Sequence, residues 1–448
     1  MSIENVIENN VKMSSRPSDL RITDMRFVDI VGAPMDCTIL RIDTNQGLSG
    51  YGEVRDFSNK FYALQLKRLL IGENPCNINK IFRKIKQFGG HARQGGGVSG
   101  VEVALWDLAG KAYGIPVYQM LGGKNHDKIR IYCDTDVGGK HSGADMGRAL
   151  KARMDAGFTI LKMDLGVDLL IDIPGALSAP LGYVDRMRAF EQDELSFGIS
   201  NKSFADFMSV PHPFTGLTIT EIGLDYLEDY VRQARDIIGY EIPLAVDHIG
   251  HVGYQTCLAL AKRLEKYNIL WMEDCIPWFY TEQWKTLSAS TTVPMCTGED
   301  IFGKEAFRPL LEQRAVSFIH PDVLTTGGIS ETMKILQMAE DNGVAAAVHM
   351  AETPIGCMAA ASVCAAAGDN VLAMEFHSFD VEWWDSMVKG STEKIVQNGW
   401  LELKDRPGLG IEELDDEVLA EHINPKRPGM WEGTERWDHE WAHDRNWS

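Results

Sequence analysis

The alternation that runs from residue 128 to about residue 376 constrains this chain more than any other feature. Eight short β-rich runs stand at 129–133, 159–163, 242–246, 270–272, 293–296, 318–319, 345–348 and 371–374. Amphipathic stretches separate them, such as Leu227, Tyr230, Val231, Ala234 and Ile238, with apolar residues recurring every three or four positions. Strands that alternate with helices pair in parallel, and eight such units suit a closed βα barrel. The eighth helix is the weak member, because Glu382-Trp-Trp-Asp385 is short and irregular. One interval breaks the rhythm. Asp164 and Asp247 lie 83 residues apart, whereas later strand ends recur at about 26. A long insertion near 167–218, carrying Pro174, Pro180, Pro211 and Pro213, is therefore expected after the second barrel strand.

Ahead of the barrel, Cys37-Thr-Ile-Leu-Arg-Ile-Asp-Thr44 and Gly50-Tyr-Gly-Glu-Val54 flank the turn residues Asn45-Gln-Gly and predict a hairpin or short meander. A helical pattern follows from about 59 to 123. Beyond 398 the tail holds five of the eleven tryptophans, at 400, 431, 437, 441 and 447, and rings that large need a surface to cover. The expected division is a capping domain over 1–127, the barrel over 128–390, and a tail over 391–448 that packs back on the cap.

Charge bounds the partners. With 64 Asp and Glu against 44 Lys and Arg, the net charge of −20 argues against non-specific binding of nucleic acid or of an anionic membrane. Eight scattered cysteines form no CxxC pair, so neither a disulfide framework nor a cysteine zinc site is expected. The first twenty residues lack the apolar core of a signal peptide. The Ala-rich run at 343–368 is broken by His349 and Glu352 and suits a buried strand and helix better than a membrane span. A soluble, cytoplasmic protein is the expectation.

Three carboxylates end three successive apolar strands: Leu244-Ala-Val-Asp247, Leu270-Trp-Met-Glu273 and Met295-Cys-Thr-Gly-Glu299, at equal spacings of 26. One strand-end acid is commonly a helix cap. Three in register converge on the mouth of a barrel, where they repel one another unless a cation such as Mg²⁺ or Mn²⁺ sits among them. His320-Pro-Asp322 and Val348-His349 end the next two strands, 27 residues apart. An aspartate on the neighbouring strand can hold the tautomer of an imidazole and make it a general acid/base.

Val101-Glu-Val-Ala-Leu-Trp-Asp-Leu-Ala-Gly-Lys-Ala112 and Pro116-Val-Tyr-Gln-Met-Leu-Gly-Gly123, together with this ladder, resemble the mandelate racemase/muconate lactonizing group of the enolase superfamily. The resemblance spans about 23–415, apart from the insertion. It implies an α/β fold: a modified (β/α)₇β TIM-type barrel under an α+β cap built from both chain ends. It also implies that Asp247, Glu273 and Glu299 bind one Mg²⁺, that His349 and Asp322 form the acid/base pair, and that Glu375 hydrogen-bonds the substrate carboxylate. The family reaction is abstraction of a proton α to a carboxylate. A homo-oligomer is implied as well.

Departures from the family pattern narrow the outcome. At the second strand end the racemase branch carries Lys-x-Lys, whereas this chain has Lys162-Met-Asp164. Lys162 matches the first lysine and is expected at the substrate carboxylate. Asp164, in place of the base lysine, can be a weak base, a hydroxyl ligand or an ion-pair partner of Lys162. A racemase needs a base on each face, so one-face chemistry is favoured: a sugar-acid dehydratase yielding a 2-keto-3-deoxy acid. Epimerisation, racemisation or cycloisomerisation of a sugar acid or its lactone is the alternative. His248 and His251 follow the first ladder acid, each with structural and functional roles open. Arg55, His91, Arg93 and Gln94 in Gly-rich cap loops are polar groups suited to the sugar chain.

Overall fold

The computed structural model of the chain describes residues 15–139, 141–185, 214–247, 249 and 252–440. Three antiparallel strands form a first sheet, β1 (Ile22–Ile30), β2 (Cys37–Thr44) and β3 (Ser49–Val54). Helices α1 (Ile78–Ile85) and α2 (Gly95–Tyr113) pack on it through a core that includes Ile22, Phe27, Leu40, Ile42, Ile81, Val101 and Leu105. Nearly all of α2 is buried, which explains why small and apolar residues dominate it, with Glu102, Asp107 and Lys111 as the charged exceptions. It lies so close to β3 that a Cβ on Gly52 would fall 2.0 Å from the carbonyl oxygen of Gly100. Two glycines facing each other permit that approach, and it fixes the end of β3 from which Arg55 emerges.

The second sheet holds the eight expected barrel strands: β4 (Ile129–Cys133), β5 (Leu161–Asp164), β6 (Leu244–Asp247), β7 (Ile269–Glu273), β8 (Met295–Thr297), β9 (Phe318–Ile319), β10 (Ala345–Val348) and β11 (Val371–Phe376). They follow one another in hydrogen-bonded order, and β11 also pairs with β4, so the strand order closes on itself. Among the described residues seven α-helices fall between them, α3 (Gly143–Asp155), α4 (Glu221–Ile238), α5 (Tyr254–Leu264), α6 (Thr281–Ser290), α7 (Lys304–Glu312), α8 (Ile329–Asp341) and α9 (Pro354–Ala366). Directly after β11, in the place of an eighth barrel helix, stands the 3₁₀ turn Trp384–Met387, where the sequence is too irregular for a helix. The architecture is thus (β/α)₇β. Local signals explain the helix starts: Ser142 and Asp145 form a capping box for α3, and Thr353 caps α9 with Pro354 in its first turn.

Long-range contacts divide the chain into two units, and the division passes through β4 and β9. One comprises Tyr132–Thr297 with Pro309–Phe318. In it the described part of the insertion forms the turn Val167–Leu170 and a two-residue strand, Leu177–Ser178, paired with Thr218–Ile219. The other comprises Met1–Ile131, Gly298–Arg308 and Ile319–Ser448. In it the tail returns to the first sheet: Met430 and Ile423 bridge to Val28 and Ile30, and the Trp431 N–H donates to the Phe27 carbonyl at 2.9 Å. The Arg41 guanidinium lies 4.8 Å from the Trp431 ring centre. Trp400-Leu401 pairs with Ile129 and Arg130 at the edge of β4. Among the described residues no helix is long and apolar enough to cross a membrane.

Candidate active site

Strand alternation puts Lys162 and Asp164 of β5 on one side, and Asp164 lies level with Asp247 of β6 in the parallel register. The Lys162 ammonium is buried between two carboxylates, 2.8 Å from Asp247 Oδ2 and 2.7 Å from Glu273 Oε1. The second oxygen of Glu273 accepts the indole N–H of Trp271 at 2.7 Å. Trp271 sits two residues earlier on β7, hence on the same face, and is wedged edge-on against Tyr132 and beside Phe318. Asp164 is half-buried. Asp274, next to Glu273, accepts the Thr297 hydroxyl at 2.6 Å.

These groups bear on the implied cation. Asp247 and Glu273 are almost without exposed surface and share the Lys162 ammonium. Buried carboxylates side by side, offering oxygen donors, fit a hard divalent ion such as Mg²⁺. The donor set fits the group the family implies.

The second unit contains the other half of the ladder. Asp322 and His349 face each other across a parallel bridge just past β9 and β10. His349 Nδ1 lies 2.6 Å from Asp322 Oδ2, and the other Asp322 oxygen accepts the Leu324 N–H at 2.5 Å. With Nδ1–H directed at the aspartate, Nε2 is the basic nitrogen. It is 2.7 Å from Glu299 Oε2 and 3.6 Å from Glu375 Oε2. Burial opposes the imidazolium, but Glu299, Glu375 and Asp322 outweigh it and hold His349 well above the ordinary histidine range. Burial likewise pushes the Asp322 carboxyl upward, while Arg55 and His349 bring it below its usual value.

Arg55 is only 1 % exposed. Its Nη1 donates to Asp322 Oδ2 and, at 2.9 Å, to Glu352 Oε1; its Nε is 2.9 Å from Asp56 Oδ1 and its Nη2 3.4 Å from Glu299 Oε2. Arg93 bridges Asp56 and Asp300 at 3.0 and 2.9 Å. His91 Nδ1 accepts the Phe302 N–H at 3.1 Å, and Gln94 is exposed. His248 and His251 lie outside the described residues, as do Arg186, Arg188 and His212 of the insertion.

Trp271, Asp56, Glu352 and His377 were not singled out in the sequence. His377 Nε2 is 3.3 Å from Glu375 Oε1, and its ring lies 6.0 Å from that of His349. Trp271 stands two positions before Glu273 on the same strand face, and His377 two positions after Glu375 just past the end of β11, so alternation was the available signal. For Asp56 and Glu352 no comparable signal exists.

Two buried glutamates hold the unit together. Glu53 of β3 accepts the Thr353 hydroxyl at 2.6 Å and the N–H groups of Thr353 and Gly356 at the start of α9. Glu102 of α2 accepts the N–H groups of Ile329 and Ser330 at the start of α8, at 2.7 and 3.1 Å. A carboxylate at a helix N-terminus satisfies orphan donors. Burial pushes both glutamates up to about 7 even so.

Comparison with known proteins matches this architecture. Residues 11–122 match the mandelate racemase/muconate lactonizing enzyme N-terminal domain, and residues 145–418 match the enolase C-terminal domain-like family. The chain is 30% identical to a D-xylonate dehydratase of Haloferax volcanii over 415 residues, covering 90% of this chain and 89% of that protein. It is 29% identical to a D-galactonate dehydratase of Verminephrobacter eiseniae over 388 residues, 83% of this chain and 87% of that one. A mandelate racemase/muconate lactonizing enzyme-like structure from Rubrobacter xylanophilus superposes with a TM-score of 0.76 at 25% identity, covering 92% of this chain and all of that one. An enolase superfamily member from Salmonella Typhimurium shares the fold at a TM-score of 0.74, 23% identity and 90% and 98% coverage. The chain is an enzyme of the enolase superfamily, in its mandelate racemase/muconate lactonizing group.

Proposed function

We propose that the protein is a Mg²⁺-dependent sugar-acid dehydratase in which His349 removes the proton α to the carboxylate. The observation that carries this reading is the buried imidazole, held at Nδ1 by Asp322 and with its basic Nε2 turned toward Glu299 and Glu375. Asp247, Glu273 and Glu299, which end or follow the consecutive strands β6, β7 and β8, would hold the cation. When bound there it supplies positive charge that favours the enediolate over the very weak carbon acid. Lys162 and Glu375 bind the carboxylate end of the substrate.

Proton bookkeeping follows from one ring. His349 Nε2 takes the α proton, and Asp322 stabilises the imidazolium that results. The same imidazolium gives its proton to the β-hydroxyl, the C3–O bond breaks and water leaves. The enol that remains ketonises by protonation at C3, giving a 2-keto-3-deoxy acid.

D-xylonate and D-galactonate are the first substrates to try, because relatives bear those names. Incubation with Mg²⁺ and detection of 2-keto product by semicarbazide absorbance tests the reading, with His349→Ala as control. Formation of product by wild type and its loss in the variant are expected; equal activity in both removes His349 from the reaction. Epimerisation, racemisation or cycloisomerisation would need a second base, for which Asp164, level with Asp247, and His251, outside the described residues, are the candidates. Deuterium entering unreacted substrate with inversion at the α carbon would favour that outcome. The reading includes a cytoplasmic homo-oligomer with no nucleic-acid or membrane partner. Light scattering on the purified protein reads its assembly, and a monomeric mass would remove that part.

A further inference from the structure

We propose that Arg55, at the end of cap strand β3, is a positioning residue of the His349–Asp322 pair, so that the proton-transfer machinery is a group of three. The proposal rests on His349 being the base.

Arg55 is buried, and both hydrogen bonds of its Nη1 go to side chains of the protein, Asp322 and Glu352. Four carboxylates surround it, from Asp56, Glu299, Asp322 and Glu352. Its Nη1 lies 2.8 Å from His349 Nδ1, and when Nδ1 carries a proton both nitrogens are donors. They stand side by side because they converge on one acceptor, Asp322 Oδ2. The opposite Asp322 oxygen is taken by the Leu324 N–H. Held at both oxygens, the carboxylate cannot rotate, and the imidazole that bonds to it inherits its orientation.

Glu352 gives the arrangement its direction. Its Oε1 accepts Nη1 at 2.9 Å, and its Oε2 is fixed by the Ala351 N–H at 2.9 Å. Only a planar guanidinium can reach Asp322, Glu352, Asp56 and Glu299 at once, whereas an ammonium is a single point charge. Glu53 adds a mechanical link. It lies two residues before Arg55 on β3 and is tied to the start of α9, four residues beyond His349. The two tethers locate the guanidinium against the loop that holds the base.

Arg55→Lys keeps the charge and loses the fork. The expected result is a kcat about 10²-fold lower, with KM within about threefold of wild type. The His349 ring ¹⁵N spectrum should lose its single-tautomer pattern. Unchanged kcat in the folded variant overturns the proposal, as does a raised KM with unchanged kcat, which would give Arg55 to the substrate. Should Arg55→Lys not fold, Glu352→Gln serves instead: the expected kcat loss is about tenfold, and full kcat overturns the proposal. If wild type turns over no sugar acid, the dehydratase reading fails separately. The nitrogen spectrum still decides on Arg55, because an undisturbed tautomer in Arg55→Lys overturns its role.

Discussion

Two buried charge clusters solve the same problem with different cations. Around Lys162, one ammonium is shared by Asp247 and Glu273, and an indole N–H completes the second carboxylate. Around Arg55, one guanidinium meets four carboxylates and stands beside an imidazole. The lysine is a mobile point charge on a flexible stem that can release carboxylate oxygens to an incoming cation. The arginine is a rigid fork that fixes each partner in direction. A site that takes up an ion needs the first arrangement, and one that aims a proton needs the second.

The comparison breaks most visibly at the imidazole. His349→Asn is expected to lower kcat at least about 10³-fold while Mg²⁺ affinity survives, as steady-state rates and calorimetric titration will read. In the other cluster, Lys162→Met removes the ammonium that the buried Asp247 and Glu273 share. Melting of the metal-free protein should show a loss of about 3–5 kcal/mol, and saturating Mg²⁺ should restore much of it. If Mg²⁺ restores nothing, the ladder does not bind it. Trp271→Phe keeps the ring packing and removes only the bond to Glu273. The expected effect is a Mg²⁺ affinity about 10-fold to 100-fold weaker, while His349 chemistry at saturating metal is spared.

The smallest effect concerns the tethers. Burial raises Glu53 and Glu102 to about 7 in the fold, so the folded chain holds protons that the unfolded chain releases from about pH 4.5 upward. Their contribution to stability is whole below that pH and is reduced as pH climbs to about 7. Thermal melts of the metal-free protein across that window should slope downward with pH, and Glu53→Gln should flatten the slope. An unchanged slope would mean that Glu53 is ionised throughout.

The two clusters also differ in how much of them the sequence discloses. The barrel was legible because parallel strands buried on both faces are short apolar runs, and all eight strands start and end within two residues of expectation. Asp247, Glu273, Asp322 and His349 were legible because each ends such a run at a nearly constant interval. Trp271 was hidden by its own ordinary character, an aromatic in an apolar strand. Arg55 was legible as a polar cap residue, but its surroundings were not: Asp322, His349 and Glu352 lie 267 to 297 positions away in the chain. No local pattern encodes a meeting at that separation. It depends on the Gly52–Gly100 approach and the Glu53 tether, which are tertiary facts.

Proton abstraction by His349 is most directly tested in D₂O with Mg²⁺ and a sugar acid that wild type consumes. Nuclear magnetic resonance of the product should show a 2-keto-3-deoxy acid carrying one deuterium at C3, formed by wild type and absent with folded, metal-binding His349→Asn. Product forming at the wild-type rate in that variant would contradict the assignment of His349 as the base.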